Sequence, residues 1–336
     1  MSKVSFGFSL AIVIFGLSGC TTMPNAYFDN AGRQDAYSGG ARLIDVSTEL
    51  GTFKVWTKRV GNNPDIKVLI LHGGPGMNHE GYEAFDSFFP AAGIEYYYYD
   101  QLGSHFSDQP NDIRLLSTKR YVEEVEQVRQ ALGLDSNNFY LYGHSWGGIL
   151  AMEYALKYQS NLKGLVISNM MASIPEYVEY ATNVLGPGLN PDVLAEIRAL
   201  EAAEDYDNPR YSELVTTHYY PKHVLRTPMA DWPEPVLRTM NNMNPEVYVP
   251  MQGPSEFGAS GILEFWDRTA DISSITVPTL VIGAQHDTMN PEHMRWMAKE
   301  IPNAEYLHCP NGSHFAMYDD QQTYFAGLID FIQGVD

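Results

Sequence analysis

Residues 138–150 read Asn-Phe-Tyr-Leu-Tyr-Gly-His-Ser-Trp-Gly-Gly-Ile-Leu. An apolar run of strand length stops at Gly143, a helical pattern resumes at Gly148, and one small hydroxyl residue, Ser145, stands between them. A strand that turns straight into a helix leaves no room for bulky neighbours, and Gly143 and Gly147 supply that relief. Such a turn exposes its serine at a strand end, with the dipole of the following helix aimed at it. Taken alone, the match also fits an ordinary turn, so the choice rests on the rest of the chain.

The same strand-then-helix rhythm recurs. Residues 67–71, 94–99, 139–142 and 165–168 are short and mostly apolar, as central strands covered on both faces are. Residues 54–60 alternate apolar and polar, which suits an edge or half-exposed antiparallel strand. Helical spacing covers 118–132 and 148–158; strands resume at 279–283 and 305–308, and a helix closes the pattern at 321–332. This alternation predicts an α/β fold: a mostly parallel central sheet with helices on both faces. Between 172 and 268 the rhythm breaks. Helices opening at Asn190-Pro191, Pro209 and Pro233 follow one another without a strong strand, so this stretch reads as an inserted helical lid. The core is then 42–171 plus 269–336, with the cap at 172–268.

The first twenty residues read as an address. Lys3 precedes an uncharged apolar run from Val4 to Gly19, shorter than the roughly 18 residues a spanning helix needs. That pattern fits a signal peptide, and its end, Leu17-Ser-Gly-Cys20, resembles a bacterial lipoprotein lipobox with Cys20 as the lipidated residue. An ordinary secretion signal or an N-terminal anchor are the competing readings. Lipidation would make the protein an exported lipoprotein of the cell envelope, periplasmic or on the outer surface, held to the membrane by its acyl chains. Residues 21–41, rich in Asn, Gly, Asp and Ser, then read as a tether. Cys309 is left as a lone core thiol.

Composition narrows the partners. With 41 acidic against 21 basic residues the net charge is -20, and no basic stripe is present to bind nucleic acid. The ten histidines form no H-E-x-x-H or other compact ligand pattern, so neither a metal nor another cofactor is expected.

An activated serine needs a base, and the base needs an orienting carboxylate. Asp287 and His314 each follow a predicted strand, and so would emerge at the sheet edge that carries Ser145. The chain order Ser, Asp, His is that of α/β-hydrolases. His286, His293 and His308 are rival bases, and Asp287 could equally cap the helix near Pro291. The glycine loop His72-Gly-Gly-Pro-Gly76, also at a strand end, can turn amides inward; the N–H groups of Gly74 and Trp146 are the candidate oxyanion hole.

Together, His72-Gly-Gly-Pro-Gly76, Asp100-Gln-Leu-Gly103, Gly143-His-Ser-Trp-Gly-Gly148 and Gly253-Pro-Ser-Glu-Phe257 resemble the prolyl aminopeptidases (proline iminopeptidases), which are α/β-hydrolases. The resemblance runs from about Arg42 to the C-terminus. It implies a serine enzyme that releases an N-terminal residue, preferentially proline, from short peptides with a free N-terminus. It also implies that lid glutamates hold the substrate's amino group. Glu256 matches that pattern, and Glu213 is a second candidate. An apolar slot for the proline ring falls to Trp146, Phe257 and Trp266. The alternatives are an esterase, lactonase or amino-acid amidase using the same machinery, or a surface binding protein that keeps the fold without the chemistry.

Overall fold

The computed structural model describes residues 26–335. Eight strands form one sheet: β1 (Ala41–Thr48), β2 (Gly51–Val60), β3 (Lys67–Leu71), β4 (Glu95–Asp100), β5 (Phe139–His144), β6 (Gly164–Ser168), β7 (Thr279–Ala284) and β8 (Ala304–Cys309). Their order is β1-β2-β4-β3-β5-β6-β7-β8, antiparallel at β1·β2 and β2·β4 and parallel from β4 onward. β1 is the strand the apolar pattern does not announce. It is an antiparallel edge strand in which only Ile44 and Val46 are buried, so its sequence carries too few apolar positions to signal a strand.

Helices pack on both faces. α1 (Thr118–Leu132) is capped by the Ser117 hydroxyl and ends at Gly133, whose φ of 65° is the left-handed conformation that closes a helix. α2 (Trp146–Tyr158) is buried through nearly all of its first half and leads from β5 into β6. The four consecutive tyrosines of β4 show why the sheet is thick. Tyr97 and Tyr99 join the apolar layer under α1 and α2, while Tyr96 and Tyr98 join the layer on the opposite face.

The cap leaves the sheet after β6 and contains α3 (Ile174–Tyr180), α4 (Pro191–Ala202), α5 (Pro209–His218), α6 (Tyr220–His223), α7 (Glu234–Asn241) and α8 (Pro245–Met251). α4, α5 and α8 each begin at Asn-Pro, where the Asn side chain accepts from the amide two residues on and the proline sits where no N–H is needed. A single antiparallel bridge, Ser173 to Asp267, joins the two ends of the insertion. α7 is strapped to the 3-10 segment His79–Ser87: Arg238 reaches Glu80 and Glu83, both at 2.6 Å, and Asn242 donates to Glu80 at 2.9 Å. After the cap come β7, α9 (Pro291–Glu300), β8, α10 (Ala316–Asp319) and α11 (Gln321–Gly334).

The signal segment and Cys20 lie outside the described residues. The tether expected at 21–41 does not hold for its described part. Tyr27 is buried with its hydroxyl on the Ile94 carbonyl at 3.2 Å, and Asp35 pairs with both Arg33 and Arg59. An aromatic side chain and three charges gain enough from docking where β2 ends and β4 begins to order a stretch whose composition alone reads as linker. β1 itself starts at Ala41.

Candidate active site

The turn at Ser145 is as tight as its glycines suggest. Ser145 has φ 56° and ψ −126°, a conformation that side chains other than hydrogen rarely adopt. A Cβ on Gly143 would stand 2.0 Å from the Gly147 carbonyl oxygen, and one on Gly147 would stand 2.2 Å from that of Leu71. The glycines thus let α2 approach β5 and β3 closely enough to force the serine outward. The Ser145 amide donates to the Ser168 carbonyl at 3.1 Å, which ties the turn to the end of β6.

Asp287 and His314 meet at the same edge of the sheet. His314 Nδ1 lies 2.8 Å from Asp287 Oδ1, and both side chains are buried. The carboxylate is held on every side. Asn169 Nδ2 donates to Oδ2 at 2.6 Å, the Met289 amide donates to Oδ1 at 3.1 Å, and the Thr288 hydroxyl lies 3.3 Å from Oδ1. With Nδ1–H given to Asp287, the tautomer of His314 leaves Nε2 as an acceptor. Burial works against the charged imidazole, but the Asp287 carboxylate, with a smaller push from Glu256, raises its pKa overall.

Ser145 and His314 line one small cleft, with Gly73, Gly74, Met77, His144, Val224, Met240, Glu256 and Phe315. Gly74, with φ 109°, borders this cleft, and the Gly73 amide is already given to Tyr82 at 2.8 Å. Trp146 opens α2, where a first-turn amide has no partner within the helix.

Glu256 reaches the cleft from the cap. It is 5% exposed, its Oε1 accepts from the Tyr248 hydroxyl at 2.6 Å, and no arginine or lysine pairs with it among the described residues. Burial raises its pKa, with His314 and Tyr248 partly opposing. A buried carboxylate without a cation is costly unless something else brings the charge.

Other expectations fail. Glu213 lies on the outer face of α5, exposed and paired with Arg210 at 3.1 Å, because Tyr211, Leu214 and Val215 take the inner face. Trp266 stands beside the Ser173–Asp267 bridge and donates to Glu153 of α2 at 2.7 Å, in an outer groove with Lys157 and Arg268. The Trp146 ring turns down into the core, donating to Gln101 at 2.8 Å and meeting Tyr121 edge-on. Phe257 packs behind the cleft, edge-on to Tyr219 at 4.8 Å. The apolar walls are instead Met77 and Phe315, which adjoin the glycine loop and His314, with Val224 and Met240 from cap segments that no motif marks. His293 is taken up by Glu176 and the Ala172 amide, and His308 by Tyr306. Asn169 is the clearest omission. It follows β6 directly with φ 52°, and attention to polar residues at strand ends would have found it.

The model of the alpha/beta hydrolase fold matches residues 67–321. The proline iminopeptidase of Flavobacterium johnsoniae is 54% identical over 294 residues, covering 88% of this chain and 98% of the relative. Among solved structures, VinJ superimposes with a TM-score of 0.81 at 27% identity, covering 88% of this chain and 99% of its own. The proline iminopeptidase of Mycobacterium smegmatis does so with 0.77 at 27% identity, covering 88% and 98%. A fold shared from β3 to α11, and a relative matched over nearly its whole length, agree with the motifs around Ser145: the chain belongs to the proline iminopeptidase family of α/β-hydrolases.

Proposed function

We propose that this chain is a serine aminopeptidase that releases N-terminal residues, preferentially proline, from short peptides. Ser145 Oγ attacks the carbonyl of the first residue while His314 Nε2 takes its proton, and Asp287 holds the imidazole and balances its charge. The tetrahedral oxyanion is met by the amides of Gly74 and Trp146. His314 returns the proton to the departing peptide amine, leaving an aminoacyl ester on Ser145. Water, deprotonated by the same imidazole, then hydrolyses that ester.

The observation that carries this reading is Glu256, a buried carboxylate without a cation that borders the same cleft as Ser145 and His314. A secondary ammonium at a peptide's end supplies the missing charge, whereas an acylated amine supplies none. The test compares free and N-acetylated prolyl anilides: turnover of the free compound alone, lost in Ser145→Ala, is expected. Equal turnover of both would favour an esterase or amidase that ignores the amine.

Lipidation at Cys20 and residence in the cell envelope belong to the same proposal and are supported by the sequence of residues 1–20. Cys20→Ser should move the protein from the membrane to the soluble fraction; a distribution unchanged by the substitution would refute the anchor.

A further inference from the structure

One hydrogen-bonded path crosses the floor of the cleft and uses residues with no part in the chemistry above. The Gly73 amide donates to the Tyr82 hydroxyl at 2.8 Å, that hydroxyl lies 2.9 Å from His144 Nδ1, and His144 Nε2 lies 2.7 Å from the His314 carbonyl oxygen. Its polarity is set at both ends. An amide can only donate and a carbonyl can only accept, so Nε2 of His144 carries the proton and Tyr82 donates to Nδ1. Tyr82, His144 and His314 are all buried, so water does not compete for these bonds. Burial, with the neighbouring His314 adding to it, lowers the His144 pKa to about 3, and the ring stays neutral wherever His314 works as a base.

We propose that Tyr82 and His144 are positioning residues: together they brace the oxyanion loop against the loop that carries the catalytic base. Gly73 adjoins the oxyanion donor Gly74, His144 adjoins Ser145, and the accepting carbonyl belongs to His314 itself. The three loops that follow β3, β5 and β8 are therefore spaced by one chain of bonds. Both ring nitrogens of His144 are occupied, so although the ring borders the cleft it has neither donor nor acceptor to offer a substrate. The inference rests on the nucleophile, base and oxyanion roles proposed above, and not on the preference for proline.

The two halves of the brace are separable. Tyr82→Phe keeps the ring packing but frees the Gly73 amide and His144 Nδ1. It should lower kcat roughly 10- to 100-fold with little change in KM, because a displaced oxyanion donor matters only in the transition state. Phosphonylation of Ser145 by a fluorophosphonate probe should slow by a similar factor. His144→Leu removes the hold on the His314 backbone. His314 is faced by Asp287, Glu256 and His144, and a looser His314–Asp287 contact lets burial lower its pKa. The acidic limb of the kcat/KM profile should then move to lower pH. His144→Gln, whose amide nitrogen can replace the Nε2 donor, should leave that limb in place.

Tyr82→Phe melting like the wild type and reacting with the probe within about two-fold of its rate would overturn the brace, since the oxyanion side would not depend on it. An unmoved acidic limb in a folded His144→Leu would overturn the other half; should that variant not fold, a limb shifted in His144→Gln would do so. The probe uses no substrate amine, so failure of the aminopeptidase reading leaves this test standing. Wild-type protein that is not labelled at Ser145 would remove the nucleophile and the brace with it.

Discussion

Replacing Glu256 by glutamine tests the amine-recognition argument with little change of shape. Glu256 Oε1 takes the Tyr248 hydroxyl at 2.6 Å, a bond that a glutamine carbonyl also accepts, so the side chain should stay in place. The substitution removes the charge that a substrate ammonium would meet in a buried site. Truncating one partner of a desolvated, hydrogen-bonded charge pair costs about 2–4 kcal/mol, which corresponds to roughly 30- to 900-fold in kcat/KM. The loss should fall on free prolyl anilide. Phosphonylation of Ser145, which uses no amine, should be nearly unchanged. Stability should move the opposite way. Burial raises the Glu256 pKa above its ordinary 4.5, so between 4.5 and the raised value the folded chain holds a proton that the unfolded chain lacks. In that window stability falls as pH rises, and above it the full cost of the buried charge is present. Glu256→Gln should therefore be more stable than the wild type near neutral pH and lose this pH dependence in urea titrations. Wild-type kcat/KM on the free anilide in the variant would refute the reasoning.

Three further substitutions probe the rest of the site. Ser145→Gly should abolish turnover yet stabilise the fold by about 1 kcal/mol in urea titrations, since glycine relieves the positive φ and returns only part of that gain as unfolded-state entropy; a destabilised variant would contradict strain at this turn. Asp287→Asn should lower kcat by about 10⁴-fold, because the imidazole loses both its enforced tautomer and its counter-charge. Activity rises as pH climbs through the raised His314 pKa, so the residual activity of that variant should show its acidic limb at lower pH. Gly147→Ala would press a methyl group to 2.2 Å from the Leu71 carbonyl oxygen, and should destabilise the fold by about 3 kcal/mol or more or give insoluble protein; a well-folded, active variant would show that α2 can withdraw from β3.

The sequence carries the strands from β2 to β8, α1, the cap helices α4, α5 and α7 (but not α3, α6 or α8) and the placement of Ser145, Asp287 and His314 at strand ends, because each depends on local periodicity, on a turn chemistry or on the rule that parallel strands share one functional edge. Glu256 is legible only through the Gly253–Phe257 motif. Glu213 and Trp266 have equally suggestive side chains, yet which face of a cap helix looks inward, and where the cap rejoins the core, follow from packing between segments far apart in the chain. The same holds for β1, whose partner rather than its own pattern makes it a strand, and for residues 26–40, which are ordered by docking. Asn169 stands at a strand end that the sequence marks, whereas Tyr82 and His144 become meaningful only once the ends of β3, β5 and β8 stand side by side. The nucleophile turn is written locally because backbone sterics over a few residues dictate it. The walls, the unpaired carboxylate and the path from Gly73 to His314 are tertiary, because a hydrogen bond or an apolar wall between remote residues exists only after the chain has brought them together.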